Sequence, residues 1–179
     1  MRYNLIVAVC RNNGIGNKGQ IPWHLPQDLQ YFSKLTRGDG LNAVIMGNTT
    51  WKNLPIPTGK PKGLPRRDNF VLARMDSFDM VLNHDHLMKT FKTIDELETY
   101  ISRHDIYEDI WVIGGETIYK QFLERGNVQK CYVTYIDADF DCDTFFPVLD
   151  STEWKEIERT ESYDTGYQCS VIYSVFHKL

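Results

Sequence analysis

The chain lacks the features that mark several large classes of protein. Its four cysteines are scattered and form no C-x-x-C pair, so neither a zinc site nor a disulfide framework is indicated. Acidic residues outnumber basic ones, and a formal charge of -4 gives no general attraction to nucleic acid or anionic membranes. The first apolar run, residues 5–10, is too short for the apolar region of a signal peptide. We therefore expect a cytoplasmic protein that binds neither nucleic acid nor membrane.

The remaining composition suits one globular domain. With 179 residues, 42% of them hydrophobic, the chain can bury a sizeable core as a single domain over residues 1–179. Apolar runs at 5–10, 43–47, 69–73 and 110–115 alternate with helical patterns. This alternation predicts an α/β fold with a buried, largely parallel sheet and helices on both faces.

Two stretches depart from that alternation. Apolar runs at 131–140 and 169–176 are joined by an irregular stretch without a strong helical pattern, which predicts an antiparallel hairpin at one edge of the sheet. Residues 55–67 are rich in proline and glycine, which predicts an exposed loop.

An acidic residue interrupts the apolar face of the first predicted helix. Pro26 suits the first helical position, and apolar residues then recur at three- and four-residue spacing, with Asp28 among them. A carboxylate among apolar side chains is costly unless something pairs with it, which favours a cleft for a polar ligand. A first-turn acid that complements the helix dipole fits the position equally well.

Glycines mark three places where a ligand phosphate could bind. Residues 14–19 match G-x-G-x-x-G after a strand, but Pro22 and Trp23 follow where a Rossmann helix should begin. A mobile glycine loop over a ligand fits better. Gly47 and Gly114 each follow a strand and precede a helix, and helix starts offer free N–H groups to anions. Two such units suggest a dinucleotide, although each glycine can equally make an ordinary tight turn.

Several charged or metal-ligating side chains are less specific. Arg74 ends a strand, where it can bind an added phosphate or remain in solvent, and Arg66 with Arg67 can receive a carboxylate or lie on the surface. His84 and His86 have the spacing of metal ligands, but no third ligand is near, so no metal is expected.

Taken together, these segments resemble the dihydrofolate reductase family over essentially the whole chain and in the same order. The segments that carry the resemblance are GIGNKGQIPW, LPQDLQYF, VIMGNTTW, PRRDNFVLAR, VIGGETIYKQFL, VTYIDADFDCDTFFP and the closing strand pair. The resemblance implies an eight-stranded, mainly parallel sheet with an antiparallel C-terminal edge hairpin and about four helices. It also implies hydride transfer from NADPH to 7,8-dihydrofolate by a monomer.

The resemblance assigns a role to each residue of the substrate site. Asp28 resembles the single ionisable group of the cleft, Thr134 the threonine that supports it, and Trp23 the tryptophan that holds an ordered water. Arg67 matches the arginine that clamps the substrate's glutamate tail, in preference to its neighbour Arg66. The apolar walls around the pterin and benzoyl rings would be formed by Ile6, Ala8, Ile21, Leu29, Phe32, Leu54, Leu64 and Ile113.

The cofactor site is likewise implied by the resemblance. Gly114 and Gly115 match a pair joined by a cis peptide bond, Tyr119 an aromatic near the nicotinamide, and Arg74 a basic position at the 2′-phosphate. The other expected contacts are Ala8, Ile15, Gly16, Gly47, Asn48, Thr49, Thr50, Leu72, Ala73, Ile113, Glu116, Thr117, Ile118 and Gln121.

The chain departs from its relatives chiefly at the phosphate sites. Many relatives carry basic residues in place of Asn48 and Thr49, a serine in place of Ala73, and some an arginine in place of Thr117. NADPH is still expected, because Arg74 supplies one charge-assisted contact and a Lys or Arg of a neighbouring loop can add another. Two alternatives share the scaffold, namely the pyrimidine reductase of riboflavin synthesis and a catalytically silent folate or nucleotide carrier.

Overall fold

The computed structural model describes residues 1–60, 62–74, 79–81 and 86–179. Four helices are present among these residues: α1 (Pro26–Arg37), α2 (Asn48–Lys52), α3 (Ile94–Arg103) and α4 (Glu116–Arg125). The strands are β1 (Tyr3–Val9), β2 (Gly14–Gly16), β3 (Ala43–Gly47), β4 (Asp68–Leu72), β5 (Asp79–Val81), β6 (Leu87–Phe91), β7 (Ile110–Gly114), β8 (Val128–Ile136), β9 (Thr144–Phe145), β10 (Trp154–Asp164) and β11 (Cys169–Lys178).

One mainly parallel sheet organises the molecule. Within the described part of the chain its strand order is β10-β11-β8-β1-β7-β3-β4-β6-β5, while β2 and β9 form a separate pair. The six strands from β8 to β6 in this order run parallel to one another, whereas β10 and β11 form an antiparallel hairpin and β5 is antiparallel to β6. The predicted fold is confirmed, and the three-residue β5 adds a ninth strand at the far edge.

Burial on both faces explains why the central strands were predictable. Every residue of β3 and of β4 is buried; β3 is a short continuous apolar run, and β4 becomes one after its two buried polar residues, Asp68 and Asn69. One face of the sheet packs into a cluster that includes Tyr3, Phe70 and Phe122, and the other into a cluster that includes Val44 and Trp111. The sheet therefore forms the centre of the core.

The hairpin at the sheet edge differs in detail from the prediction. The stretch between the two predicted strands contains the 11-residue strand β10, whose residues 155–161 are all exposed. Charged and polar side chains protect such an edge strand from pairing with another chain, and they also remove the apolar alternation that reveals a strand. The hairpin therefore consists of β10 and β11, and β11 pairs with β8.

Helix α3 was not recognised in the sequence, although it has a clear start signal. The side chain of Thr93 accepts a hydrogen bond from the Glu96 backbone N–H at 3.1 Å, and Glu96 in turn accepts one from the Lys92 backbone N–H at 3.0 Å. The bond to Thr93 is one half of a capping box, encoded as T-x-x-E, and Glu96 bonds the residue before the cap, Lys92, in place of the cap itself. None of the helices in the described residues is long and apolar enough to cross a membrane.

Candidate active site

A cavity of about 1070 Å³ opens where four parallel strands end. Val7 and Ala8 lie near the end of β1, and Gly47, Leu72 and Ile113 occupy the corresponding positions of β3, β4 and β7. Ligands of open α/β sheets bind at these carboxyl ends. The volume lies at the upper end of ligand cavities, which range over roughly 300–1,000 Å³, so it can hold two small molecules side by side.

Most of the expected site residues meet in the wall of this cavity. From the substrate set these are Trp23, Ala8, Ile21, Asp28, Leu29, Leu54 and Ile113. From the cofactor set they are Ala8, Ile15, Gly16, Gly47, Asn48, Thr49, Thr50, Leu72, Ala73, Arg74, Ile113, Gly115, Glu116, Thr117, Ile118, Tyr119 and Gln121.

Helix α1 carries the carboxylate of the cavity. The helix begins at Pro26, as predicted, and places Asp28 in its first turn beside the cavity. The hydroxyl of Thr134, a buried residue of β8, donates a 2.8 Å hydrogen bond to Asp28 Oδ1. Leu29 is apolar yet 50% exposed in the same wall, and Ile21 is 58% exposed. A charged group beside exposed apolar side chains is suited to a flat, partly polar ligand.

Burial controls the ionisation of Asp28. Desolvation raises the pKa of this carboxyl above its ordinary value, and the hydrogen bond from Thr134 opposes the rise because it favours the ionised form. The carboxylate is therefore held in a place where its charge is costly. A ligand that donates hydrogen bonds would offset that cost.

Aromatic contacts fix the segment that leads into α1. Trp23 is buried, and its ring centroid lies 5.3 Å from that of Phe140. Phe140 in turn packs edge-on against Tyr167, whose hydroxyl accepts a 3.0 Å hydrogen bond from the His24 backbone N–H. The indole of Trp23 therefore has a fixed position in the cavity wall next to Asp28.

The glycine segment, residues 14–19, forms a strand and the start of a turn. Gly14 pairs with Phe145 and Gly16 with Thr144, and a tight turn closed by Asn17 and Gln20 follows. The next helix begins only at Pro26, which confirms that the G-x-G-x-x-G match is no Rossmann signature. Gly16 and Gly19 line the cavity, so the segment forms part of its wall.

Two helix starts face the cavity, as the strand, glycine, helix pattern predicted. Gly47 precedes α2 and Gly115 precedes α4, and neither helix has a side chain that caps its first N–H groups. The Oδ1 atom of Asn48 is buried and has no hydrogen-bond partner among the described residues. Unpaired donors at both helix starts and this unpaired acceptor are groups that a polar, anionic ligand can satisfy.

The Tyr119 side chain of α4 bridges the two strands β1 and β7 at the bottom of the cavity. Its hydroxyl lies 2.8 Å from the carbonyl oxygen of Ile6 and 2.9 Å from that of Ile113, so it joins β1 to β7. Gly114 has φ +114°, and a Cβ there would lie 2.9 Å from the Tyr119 ring. Only glycine fits this position. The Gly114–Gly115 peptide bond is cis, as expected, although Gly114 itself does not line the cavity.

Two exposed cations lie together at one end of the cavity. Leu72 of β4 pairs with Phe91 of β6, which brings Arg74 and Lys92 to neighbouring strand ends. Neither side chain forms an ion pair with another described residue. Their free charges can bind a phosphate group.

Five expected substrate residues do not line the cavity, and one of them is Thr134, which bonds to Asp28 from β8. Ile6, Phe32 and Leu64 belong to an apolar cluster that also contains Leu54 and Ile113, and they pack behind the wall. Arg67 is 3% exposed, in contrast to the exposed Arg66. A hydroxyl and a carbonyl fix its position: Nη1 donates to Thr36 Oγ1 at 2.6 Å and Nε to the Pro65 carbonyl at 2.8 Å.

The sequence interpretation missed part of the cavity wall. The additional lining residues are Val7, Gly19, Gln20, His24, Leu25, Asn53, Pro55, Lys92, Thr93, Ile94, Arg125 and Thr144. For Lys92 and Thr93 the capping-box sequence before α3 was an available signal. Thr144 had none, because its place depends on the pairing of β9 with β2.

The structure provides no metal site among its described residues. No group of three or more His, Cys, Asp or Glu side chains is arranged to hold an ion there. His86 lies 3.5 Å from Asp68, and His84 lies outside the described residues.

Comparison with known proteins agrees with the site. The family model for dihydrofolate reductase matches residues 2–178. A dihydrofolate reductase of Heliothis virescens is 37% identical over 166 residues, which cover 90% of this chain and 87% of that protein. The dihydrofolate reductase of Haemophilus influenzae is 38% identical over 161 residues, which cover 90% of this chain and 88% of that protein. The dihydrofolate reductase of Drosophila melanogaster is 34% identical over 175 residues, which cover 94% of this chain and 91% of that protein.

The fold and the cavity, taken with these matches, define an oxidoreductase of the α/β class. The chain belongs to the dihydrofolate reductase family. The reaction of this family is the NADPH-dependent reduction of 7,8-dihydrofolate to 5,6,7,8-tetrahydrofolate, a step of one-carbon metabolism.

Proposed function

We propose that the cavity holds dihydrofolate at the Asp28 end and NADPH along the starts of α2 and α4. The observation that carries this proposal is the Asp28 carboxylate, held at 2.8 Å by Thr134 in the part of the wall that also contains the exposed apolar side chains of Ile21 and Leu29. NADPH supplies the hydride when it is bound. The chain's own residues orient the pterin, exclude water and lead a proton to it.

Asp28 orients the pterin and does not donate the proton itself. Its carboxylate accepts hydrogen bonds from the pterin's amino group and the adjacent ring nitrogen, on the edge away from the carbon that accepts hydride. Thr134 holds the carboxylate in place for those bonds. A water beside the fixed indole of Trp23 carries the proton to the reacting nitrogen. The glycine segment closes over both ligands and limits other water.

The cofactor fits the opposite half of the cavity. The free N–H groups before α2 and α4 suit its pyrophosphate, and Asn48 Oδ1 is an acceptor that still needs a donor. The exposed cations Arg74 and Lys92 suit the 2′-phosphate. Lys92 therefore supplies a positive charge for the phosphate groups of NADPH, where many relatives use basic residues in place of Asn48 and Thr49.

Turnover by the native chain tests the reaction and its rivals together. We expect NADPH oxidation, followed by absorbance, with 7,8-dihydrofolate but not with the ribosylated pyrimidine substrate of riboflavin synthesis. The apolar wall of Leu29 and Ile21 next to Asp28 suits a flat pterin. Binding of dihydrofolate without any turnover would support the silent carrier instead.

Removal of the two cations tests how the chain selects NADPH. Because a charge-assisted hydrogen bond contributes about 1.5–3 kcal/mol, Arg74→Gln and Lys92→Gln are each expected to raise the KM for NADPH about tenfold or more. The KM for NADH should stay within about twofold, since NADH lacks the phosphate. Steady-state kinetics with both cofactors measure the ratio. Arg103→Gln, which removes an exposed arginine outside the cavity wall, is the matched control. Equal losses with NADH would contradict the assignment.

The chain is further proposed to act as a monomer in the cytosol. The negative net charge supports the absence of a nucleic-acid partner. Sedimentation of the purified protein at the mass of two or more chains would contradict the monomer.

A further inference from the structure

Two of the four cysteines lie side by side beneath the glycine segment. Cys10 Sγ and Cys142 Sγ are 3.9 Å apart, although 132 positions separate the two residues in the sequence. Both are free thiols. Cys10 directly follows β1, and Cys142 lies two residues before β9. The fold therefore brings together two thiols that the spacing in the sequence left unrelated.

The close approach of these thiols depends on Gly14. A Cβ built on Gly14 would lie 2.6 Å from Cys142 Cβ and 2.9 Å from Cys10 Sγ, so no other residue leaves room for both sulfurs. Backbone bonds hold the same turn, because the Cys10 N–H donates to the Gly14 carbonyl at 3.0 Å. The thiol of Cys10 also donates to Asn12 Oδ1 at 3.0 Å. The sulfur pair is thus fixed against the first residue of the glycine segment.

The two sulfurs differ in access to solvent. Cys10 is 1% exposed, whereas Cys142 is partly exposed. A small oxidant in solution therefore meets Cys142 first. Burial and the neighbouring Cys10 raise the pKa of Cys142 to about 11, so its thiolate is scarce at neutral pH and the first step is slow. The N–H of Gly16 has the opposite effect and favours the thiolate.

We propose that Cys10 and Cys142 form an oxidisable dithiol, which hydrogen peroxide converts to an intramolecular disulfide. The Cys142 thiolate attacks one peroxide oxygen, the O–O bond breaks, and a sulfenic acid and one water form. The Cys10 thiolate then attacks the Cys142 sulfur, the S–O bond breaks, and a second water leaves as the S–S bond forms. The two thiols lose two protons and two electrons, and the peroxide takes up both. The sulfurs close from 3.9 Å to a bond of about 2 Å.

This bond would tie the glycine segment to the sheet. Cys10 follows the strand whose residues Val7 and Ala8 line the cavity, and β9, just after Cys142, pairs with Gly14 and Gly16. A covalent link across this joint restricts the segment that closes over the ligands. If lid movement limits turnover, the oxidised form turns over more slowly. This consequence rests on the proposed function, whereas formation of the disulfide does not.

Thiol counting on the native, full-length protein tests the proposal. The folded protein is treated with excess hydrogen peroxide, unfolded, alkylated with iodoacetamide and weighed by mass spectrometry. We expect two of the four cysteines to escape alkylation, with peptide mapping that links Cys10 to Cys142, and a dithiol reductant to restore all four. The oxidised form should unfold on the order of 5 °C higher or more, because the link closes a long loop. Its kcat should fall at least about threefold and recover on reduction.

Single serine variants separate this pair from general oxidation. Cys142→Ser should keep all three remaining thiols under the same treatment, and its kcat should not respond to peroxide; it is also the less disruptive variant because Cys142 is partly exposed. Cys10→Ser lacks the second thiol, so it should form no disulfide and should carry added oxygen on Cys142 instead. Cys169→Ser is the matched control, since Cys169 is a buried cysteine of the same apolar cluster and its removal leaves the pair intact.

Three results would overturn the proposal or its consequence. Four alkylated cysteines after oxidation, or a disulfide that involves Cys131 or Cys169, would show that the pair is not a dithiol site. A Cys10–Cys142 disulfide with unchanged kcat would refute the restriction of the glycine segment. The thiol count needs no substrate, so failure of the disulfide and failure of the proposed reaction are distinguishable.

Discussion

Asp28→Asn is expected to lower kcat/KM for dihydrofolate about 10²–10³-fold at neutral pH. The asparagine side chain keeps the shape of aspartate but has no charge, and its amide nitrogen donates where the pterin's amino group also donates. Loss of one such oriented, desolvated contact costs about 2.7–4 kcal/mol in comparable sites. The absorbance assay of NADPH oxidation measures the effect. Asp28→Glu, which restores a carboxylate, is the control and should retain most of the activity. Full activity of Asp28→Asn near neutral pH would refute the role of this carboxylate.

The pH dependence of this loss has a defined sign. Burial raises the pKa of Asp28 in the folded protein, so the wild-type carboxyl itself becomes neutral as the pH falls through that value. The difference between wild type and Asp28→Asn should therefore shrink at low pH. Thr134→Val should move this transition to higher pH, because it removes the hydrogen bond that favours the ionised form. Thr134→Ser keeps the hydroxyl and should leave the transition in place.

The same carboxylate should reduce the stability of the free enzyme. A carboxyl whose pKa is higher in the folded state than in the unfolded state stabilises the fold below its unfolded pKa, and that contribution is lost as the pH rises through the folded value. Asp28→Asn should consequently unfold at a higher urea concentration than wild type at neutral pH. The difference should vanish near pH 4, the ordinary value for a carboxyl. The carboxylate that orients the substrate therefore lowers the free energy of unfolding of the ligand-free protein at neutral pH.

The sequence predicted the central fold because burial leaves a direct pattern there. The run at 43–47 is observed unchanged as β3, and the run at 69–73 is shifted by one residue, because strands buried on both faces consist of continuous apolar residues. Strand β10 has no such pattern, since it lies at the sheet edge and its exposed residues are largely polar. Local patterns therefore identify elements by their burial, and they fail where an element remains in solvent.

The site was predictable where a motif and a strand end coincide. Gly47 ends β3, Gly115 directly follows β7, and Arg74 lies two residues after β4, so the sheet itself brings them to the cavity. Lys92 belongs to a turn whose strand and helix were not recognised, and the contact between Cys10 and Cys142 spans most of the chain. Long-range contacts of this kind depend on strand order, which no local pattern specifies.

The two adjacent arginines, Arg66 and Arg67, also show that a local sequence pattern cannot tell a buried side chain from an exposed neighbour. Nothing in their spacing distinguishes Arg66 from Arg67, and only the family pattern selected Arg67. The structure separates them, because Arg67 is 3% exposed and bonded to Thr36 and Pro65, whereas Arg66 is exposed. Burial, followed by the charges of Arg37 and Arg66, lowers the pKa of Arg67 to about 10, which still leaves it charged at neutral pH.

Arg67→Leu is expected to raise the KM for dihydrofolate about 10²-fold and to change kcat much less. Among the described residues, no carboxylate pairs with Arg67 or with its neighbours Arg37 and Arg66. A buried, unpaired cation such as Arg67 is costly, and a carboxylate of the substrate's glutamate tail would compensate it with a bond worth about 1.5–3 kcal/mol. Since the arginine lies outside the cavity wall, its loss affects tail binding and leaves the reacting rings in place.

A substrate without the tail provides the decisive comparison for this prediction. A dihydropterin that lacks the p-aminobenzoylglutamate group should be reduced equally well by wild type and Arg67→Leu, because it has no carboxylate for the guanidinium to bind. Arg66→Leu is the matched control for charge, and its exposed side chain should alter the KM for dihydrofolate less than about threefold, the effect expected of an exposed charge worth at most about 1 kcal/mol. Equal losses with both substrates would mean that Arg67 supports the fold through Thr36 and Pro65 and does not bind the tail.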